Sequence, residues 1–195
     1  MLVSWSVLRG TVEEMHSRLQ FSLNESVASD ALKVGLPSIA IPLYKDALED
    51  TAKSQVPQSE VRKLRLGLTS AFLAIGEIEL AKEELKILEH PGEQSGEVLL
   101  QLALIAFLER DVESFKELMS ELKPEVVSLE NRSWVVFLQG MVAPSAAASE
   151  ALHSQALKMA MTLERQADFR LLRYRNEILE TGGSEVLAAN LKRQM

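Results

Sequence analysis

Cysteine is absent from the 195 residues, which excludes disulfides, thiolate zinc sites and a cysteine nucleophile together. Aromatic residues are scarce at 5%, and basic charge is in deficit, with a net charge of −7. A chain of that balance is not expected to bind nucleic acid. Long apolar runs are missing too. The most apolar stretch, VLLQLALIAFL (98–108), is bracketed by Glu97 and Glu109 and is about half of the roughly 20 residues a bilayer crossing needs, so no membrane insertion is expected. The opening MLVSWSVLRG lacks the basic and extended apolar regions of a signal peptide. A cytoplasmic setting is therefore the default, with export or membrane tethering the alternative if a targeting segment has been cropped. No phosphate loop, dinucleotide fingerprint or nucleophile elbow is present; GLTSAF and LQGMV do not satisfy them. The 3 histidines have no Ser or Asp nearby in a recognisable arrangement. No catalytic residue and no cofactor is assigned, and the chain is read as a non-enzyme.

What is abundant is Leu, Ala, Glu and Lys, residues that lose little on entering a helix. Gly and Pro break the chain at VGLP (34–37), SQVPQS (54–59), EHPGEQSG (89–96), LKPE (122–125), APS (143–145) and TGGS (181–184). Between these breaks the apolar spacing is helical. Leu99, Leu102, Ala103 and Ala106 follow i, i+3, i+4, i+7, as do Ile78, Ala81, Leu85 and Leu88 in their segment. No sustained two-residue alternation argues for strands. The segments form pairs with short connections, which makes neighbouring helices antiparallel. The expectation is an all-α chain of helical hairpins.

Two segments nearly repeat: GEIELAKEELKIL (76–88) and RDVESFKELMSEL (110–122). Alignment of the chain on itself gives turn anchors at Gly35, Gly76, Arg110 and Ser145, separated by 41, 34 and 35 residues. GLPSIAIPLYKDAL (35–48) carries Gly35, Ala40, Tyr44, Ala47 and Leu48, and WVVFLQGM (134–141) carries Trp134, Phe137, Leu138 and Met141. A period of 34 built from helix–turn–helix units, with these residues at these spacings, resembles the tetratricopeptide repeat in degenerate form. That resemblance implies a right-handed superhelical array over one domain, 1–195, with repeats at about 21–55, 62–91, 96–124 and 131–162. Terminal helices would follow at 164–180 and 184–195.

Several local expectations accompany this. Ala40 and Ala81 allow two helices to approach closely, and Gly35 and Gly76 end first helices in the left-handed region. The longer first spacing implies an insertion at TAKSQVPQ (51–58). Thr11 and Glu14 form a capping box at the start of a helix over 11–33. In 164–183, Leu171, Tyr174 and Ile178 share the apolar face that covers the last repeat.

For function, the resemblance points to the faces of the first helices. These present Leu66, Ser70 and Leu73, then Leu100, Gln101, Leu104 and Phe107, then Val135 and Gln139. They make no basic clamp for a carboxylate. They make an apolar groove for a partner's amphipathic helix or apolar peptide, unless the chain itself covers them, for instance with 164–180. The partner is accordingly another protein or peptide, or a second copy that makes the chain a self-assembling structural module. Trp5 and Trp134 are weighed in the same way, with the core favoured.

A rival chemistry rests on Glu13/His16 and Glu150/His153, two E-x-x-H pairs that set both ligands on one helix face, as in di-metal carboxylate bundles. Solvated surface pairs are the plainer account, and no metal site is assigned. Arg165, Arg170, Arg173 and Arg175 are interleaved with Glu164, Asp168, Glu177 and Glu180, which favours ion pairing along one exposed helix.

Overall fold

The computed structural model describes residues 5–51, 56–88, 95–160 and 163–180. Among them every regular element is helical: α1 (Trp5–Lys33), α2 (Pro37–Thr51), α3 (Gln58–Ala74), α4 (Ile78–Leu88), α5 (Gly96–Glu109), α6 (Val112–Glu121), α7 (Arg132–Met141), α8 (Ala146–Met159) and α9 (Leu163–Glu180), with a 3-10 turn at Pro124–Val126. The sequence suggests one domain over 1–195. By packing, the chain divides into two compact units, Met1–Val127 and Ser128–Met195.

In the first unit, α1 packs on α2, α2 on α3, α3 on α4 and α5 on α6, and α3 also touches α5. The turns α1–α2, α3–α4 and α5–α6 are one structure made three times. Gly35, Gly76 and Arg110 adopt φ values of 74°, 81° and 65°. The N–H groups of Gly35, Gly76 and Arg110 donate to Leu32 O, Leu73 O and Phe107 O. The next N–H groups, of Leu36, Glu77 and Asp111, reach back to Ala31 O (2.8 Å), Phe72 O (3.0 Å) and Ala106 O (2.9 Å). This double bond pattern satisfies helix-end carbonyls that would otherwise lack donors. The same Leu36, Glu77 and Asp111 then start the following helices: their carbonyls accept from Ala40, Ala81 and Phe115. At Arg110 a long side chain occupies a conformation that glycine enters freely.

The register around the turns repeats as well. Counting from the left-handed residue, positions −7, −4, +5, +9 and +12 are buried in all three hairpins. Before the turns these are Ala28 and Ala31, Thr69 and Phe72, and Ala103 and Ala106. After them come Ala40, Tyr44 and Ala47; Ala81, Leu85 and Leu88; and Phe115, Met119 and Leu122. Their spacing keeps one stripe of each helix against its neighbour. Where Tyr44 needs room, α3 supplies Gly67: a Cβ there would lie 2.5 Å from Tyr44 Cζ.

Two local expectations are corrected. The longer first spacing is not an insertion at 51–58, part of which (52–55) lies outside the described residues. The α2–α3 connection is no longer than the α4–α5 one. The extra length is helical: α2 has 15 residues against 11 in α4, and α3 has 17 against 14 in α5. The capping box at Thr11 and Glu14 does not start a helix either, because α1 begins at Trp5 and runs through both positions.

The second unit is built on aromatic contact. Phe137 of α7 and Phe169 of α9 stack with ring centroids 4.6 Å apart. Trp134 meets the Phe169 ring edge-on at 4.7 Å, a favoured geometry for rings with oppositely polarised faces and edges. α7 and α8 pack closely because Gly140 leaves a notch: a Cβ there would lie 2.7 Å from both Cδ2 and Nε2 of His153. Ser145, the fourth anchor, is not left-handed. It is the extended N-cap of α8, and its Oγ accepts from the Ala148 N–H.

Of the expected covering face of α9, the Tyr174 and Ile178 side chains lie outside the described residues, and Leu171 does not cover. Leu171 is 66% exposed, whereas Phe169 is buried, with Arg165, Leu172, Arg173 and Asn176 half-buried around it. Glycines 182 and 183 and the expected helix at 184–195 lie outside the described residues.

Candidate functional site

The first-helix residues fall into three groups. Leu100, Gln101 and Val135 are buried, Val135 completely, so the chain itself covers them and they present no groove to a partner. Leu66, Ser70, Leu73, Leu104 and Phe107 are half-buried and belong to the first unit. The structure brings the α3 and α5 residues together, while Val135 and the half-buried Gln139 belong to the second unit.

What joins α3 to α5 is polar. Gln101 Nε2 donates to Leu66 O (2.9 Å) and to Ser70 Oγ (2.8 Å), while Ser70 Oγ donates to Leu66 O (3.0 Å). Because Leu66 O is an acceptor, the amide nitrogen must face it. That orientation leaves Gln101 Oε1 buried without a donor. Gln101 thus serves as a clasp between two hairpins. Phe107 leans on Phe115 across the α5–α6 hairpin, centroids 5.6 Å apart, and offers only part of its ring. Arg65 of α3 pairs with Glu84 of α4 at 2.6 Å.

A concavity lies elsewhere: an open-sided cleft of about 400 Å³ between α5 and α6. Its floor is Leu102, Ile105, Ala106 and Leu118, and its rim carries Glu109, Asp111, Glu117 and Glu121. At 100° per residue, the α5 residues of this cleft point to the side opposite Leu100, Leu104 and Phe107. Asp111 accepts from the Ser114 N–H at 3.2 Å, and its hydrogen bonds to Ser114 hold its carboxyl below the usual range. Lys82 of α4 reaches Glu109 at 2.5 Å and Glu79 at 3.1 Å, and these two bonds raise its ammonium above its ordinary pKa. No sequence motif announces this cleft. Its acids come from a helix end, a turn and the next helix, and converge only once the hairpin closes.

Several other titratable groups have structural partners. Glu150 pairs with Arg173 of α9 at 2.6 Å, and that bond lowers its carboxyl. Its E-x-x-H mate His153 is buried against Gly140 and the Phe137 ring, so Glu150/His153 is not a solvated surface pair. His16 is exposed, and the Glu13 side chain lies outside the described residues. Among the described residues no three His, Asp or Glu side chains come together in a way that could hold a metal. The arginines of α9 reach across helices: Arg165 donates to Glu130 O, and burial lowers its guanidinium, opposed by Glu130 and Asp168. Arg170 is exposed, and the Arg175 side chain lies outside the described residues. Trp134 is half-buried in the aromatic cluster; the Trp5 side chain is outside the described residues.

No protein-family model, no curated protein and no solved structure matches the chain. Among the described residues, no helix is long and apolar enough to cross a membrane.

Proposed function

We propose that the chain is a non-catalytic interaction module, a short array of helical hairpins wound as a right-handed superhelix like degenerate tetratricopeptide repeats. The observation that carries this reading is the threefold turn, with the same five buried positions around each left-handed residue. A hairpin that buries one stripe on its partner and another on its neighbour is a stacking unit. Such arrays recognise other proteins along the helices that face inward. On this reading Leu66, Ser70, Leu73, Leu104 and Phe107, the half-buried part of that face, receive an apolar helix or peptide.

The test is affinity capture from cell extract with wild type and a Leu104→Lys variant, followed by identification of what is retained. Helicity of the variant is checked first by circular dichroism. A protein held by wild type and lost by the folded variant supports the site. Equal retention by both removes Leu104 and its neighbours from the interface.

Self-assembly is the second reading, and α1 favours it. Met15, Leu19, Leu23 and Val27 are 61%, 66%, 58% and 43% exposed at steps of four residues. They form one apolar ridge of the kind that interdigitates with another helix. Sedimentation across a range of protein concentrations separates the readings. A concentration-dependent mass that Leu19→Glu abolishes favours a second copy, and a constant monomer mass discards it.

A further inference from the structure

We propose that the α5–α6 cleft receives a cationic amphipathic helix from a partner protein, apolar side chains on its floor and Lys or Arg on its rim. The site is separate from the first-helix face and does not depend on it. The floor is aliphatic and the cleft is open to solvent rather than enclosed, which suits side chains projecting from a partner's surface better than a buried small molecule. Charge then selects the partner. Along α6, Glu113, Glu117 and Glu121 recur every four residues, a like-charge row that disfavours itself. Among the described residues no basic side chain pairs with any of the three. Glu109 at the end of α5 and Asp111 in the turn add to the acidic rim.

The chain itself shows how the rim treats a cation. Lys82 crosses from α4 to hold Glu109 at 2.5 Å. An incoming Lys or Arg would find Glu117 and Glu121 available in the same way, and its approach would be steered by the field of the row. A second copy fits poorly as the occupant, since each copy carries a net charge of −7.

Two fluorescein-labelled synthetic helices of about 18 residues test this on the full chain: one alternates Leu and Lys at amphipathic spacing, the other replaces every Lys by Glu. Fluorescence anisotropy is measured in titrations from about 0.05 to 0.3 M salt. The expected result is binding of the Leu/Lys helix alone, weakening with salt. A Glu117→Lys/Glu121→Lys double variant should lose at least about tenfold in affinity. A control reversal of the same charge on α2, Asp46→Lys/Glu49→Lys, should stay within about twofold. Leu118→Ser should weaken binding with the rim intact. Should the first double variant lose its helical circular dichroism, Glu117→Gln/Glu121→Gln replaces it with the same expectation. Equal loss in both reversals means general attraction to an acidic protein and overturns the proposal. Absence of binding, or equal binding of both helices, does the same. So does a solution mass for the protein alone that falls on the Glu117/Glu121 change, because the occupant is then a second copy.

Discussion

The first unit closes its hairpins with the backbone, the second with side chains. In the first, a left-handed residue and two successive N–H groups that donate back to the preceding helix reverse the chain between α1 and α2, α3 and α4, and α5 and α6. The helices meet over small residues such as Ala40 and Ala81. In the second, α7 and α8 are joined without a left-handed residue, and the core is a stack of Phe137, Phe169, Trp134 and His153. Both units seat a ring in a glycine notch, Tyr44 against Gly67 and His153 against Gly140. The lesson is that a helical hairpin can draw its stability from many small equal contacts or from a few large ones, and the two should fail differently.

The largest difference should come from removing one ring. Phe137→Ala deletes the stacking partner of Phe169 and is expected to cost about 3–5 kcal/mol in urea unfolding of the second unit's signal. Next is an alkaline contrast confined to the first unit. Burial pushes the Tyr44 phenol up to about 12, offset in part by a hydrogen bond with Ser29. The unfolded chain releases this proton near pH 10 while the folded chain keeps it. Stability contributed by the neutral phenol is therefore complete below pH 10 and is lost between pH 10 and 12, at about 1.4 kcal/mol per pH unit. Tyr44→Phe should flatten that part of the profile; equal slopes for both proteins would refute it.

Crowding the small-residue contact is a smaller perturbation. Ala81 is fully buried, and Ala81→Leu should cost about 1–3 kcal/mol by overpacking, read as a lower urea midpoint with an unchanged slope. The smallest effect is at the turns. A Cβ on Gly76 would touch nothing within 4 Å, yet its φ is 81°, so Gly76→Ala isolates backbone strain and should cost about 1 kcal/mol. Arg110→Gly should move stability the opposite way, by up to about 1 kcal/mol. If both changes destabilise equally, the turns are not equivalent.

The turns were legible in the sequence because a glycine after an apolar helix has a specific backbone use, and the repeat extended that reading to Arg110. The stripe Ala81, Leu85, Leu88 was legible for the same reason that any helix face is. The packed face of α9 was not. Counting apolar residues favours a face that includes Leu171, which is exposed, whereas the half-buried residues beside Phe169 include Arg165 and Arg173. Their stems cover apolar surface while their heads reach Glu130 O and Glu150. The burial of His153 rests on Gly140, a partner on another helix, and no periodicity within one helix reveals such a match. The same holds for Leu100 and Val135. On a helix apolar all round, the pattern cannot say which stripe is covered.

One consequence of the threefold turn concerns how the chain can change length. Leu36, Glu77 and Asp111 each close one helix and open the next, so no residue in these connections is spare. Deleting one would uncap two helices at once, and adding one would rotate the following helix by about 100°, turning its buried stripe to water. Edits at these points are tolerable only as whole hairpins, spliced in or out between one left-handed residue and the next. A variant with the 76–109 block duplicated should accordingly keep its helicity and urea midpoint better than one with a single extra alanine after Gly76.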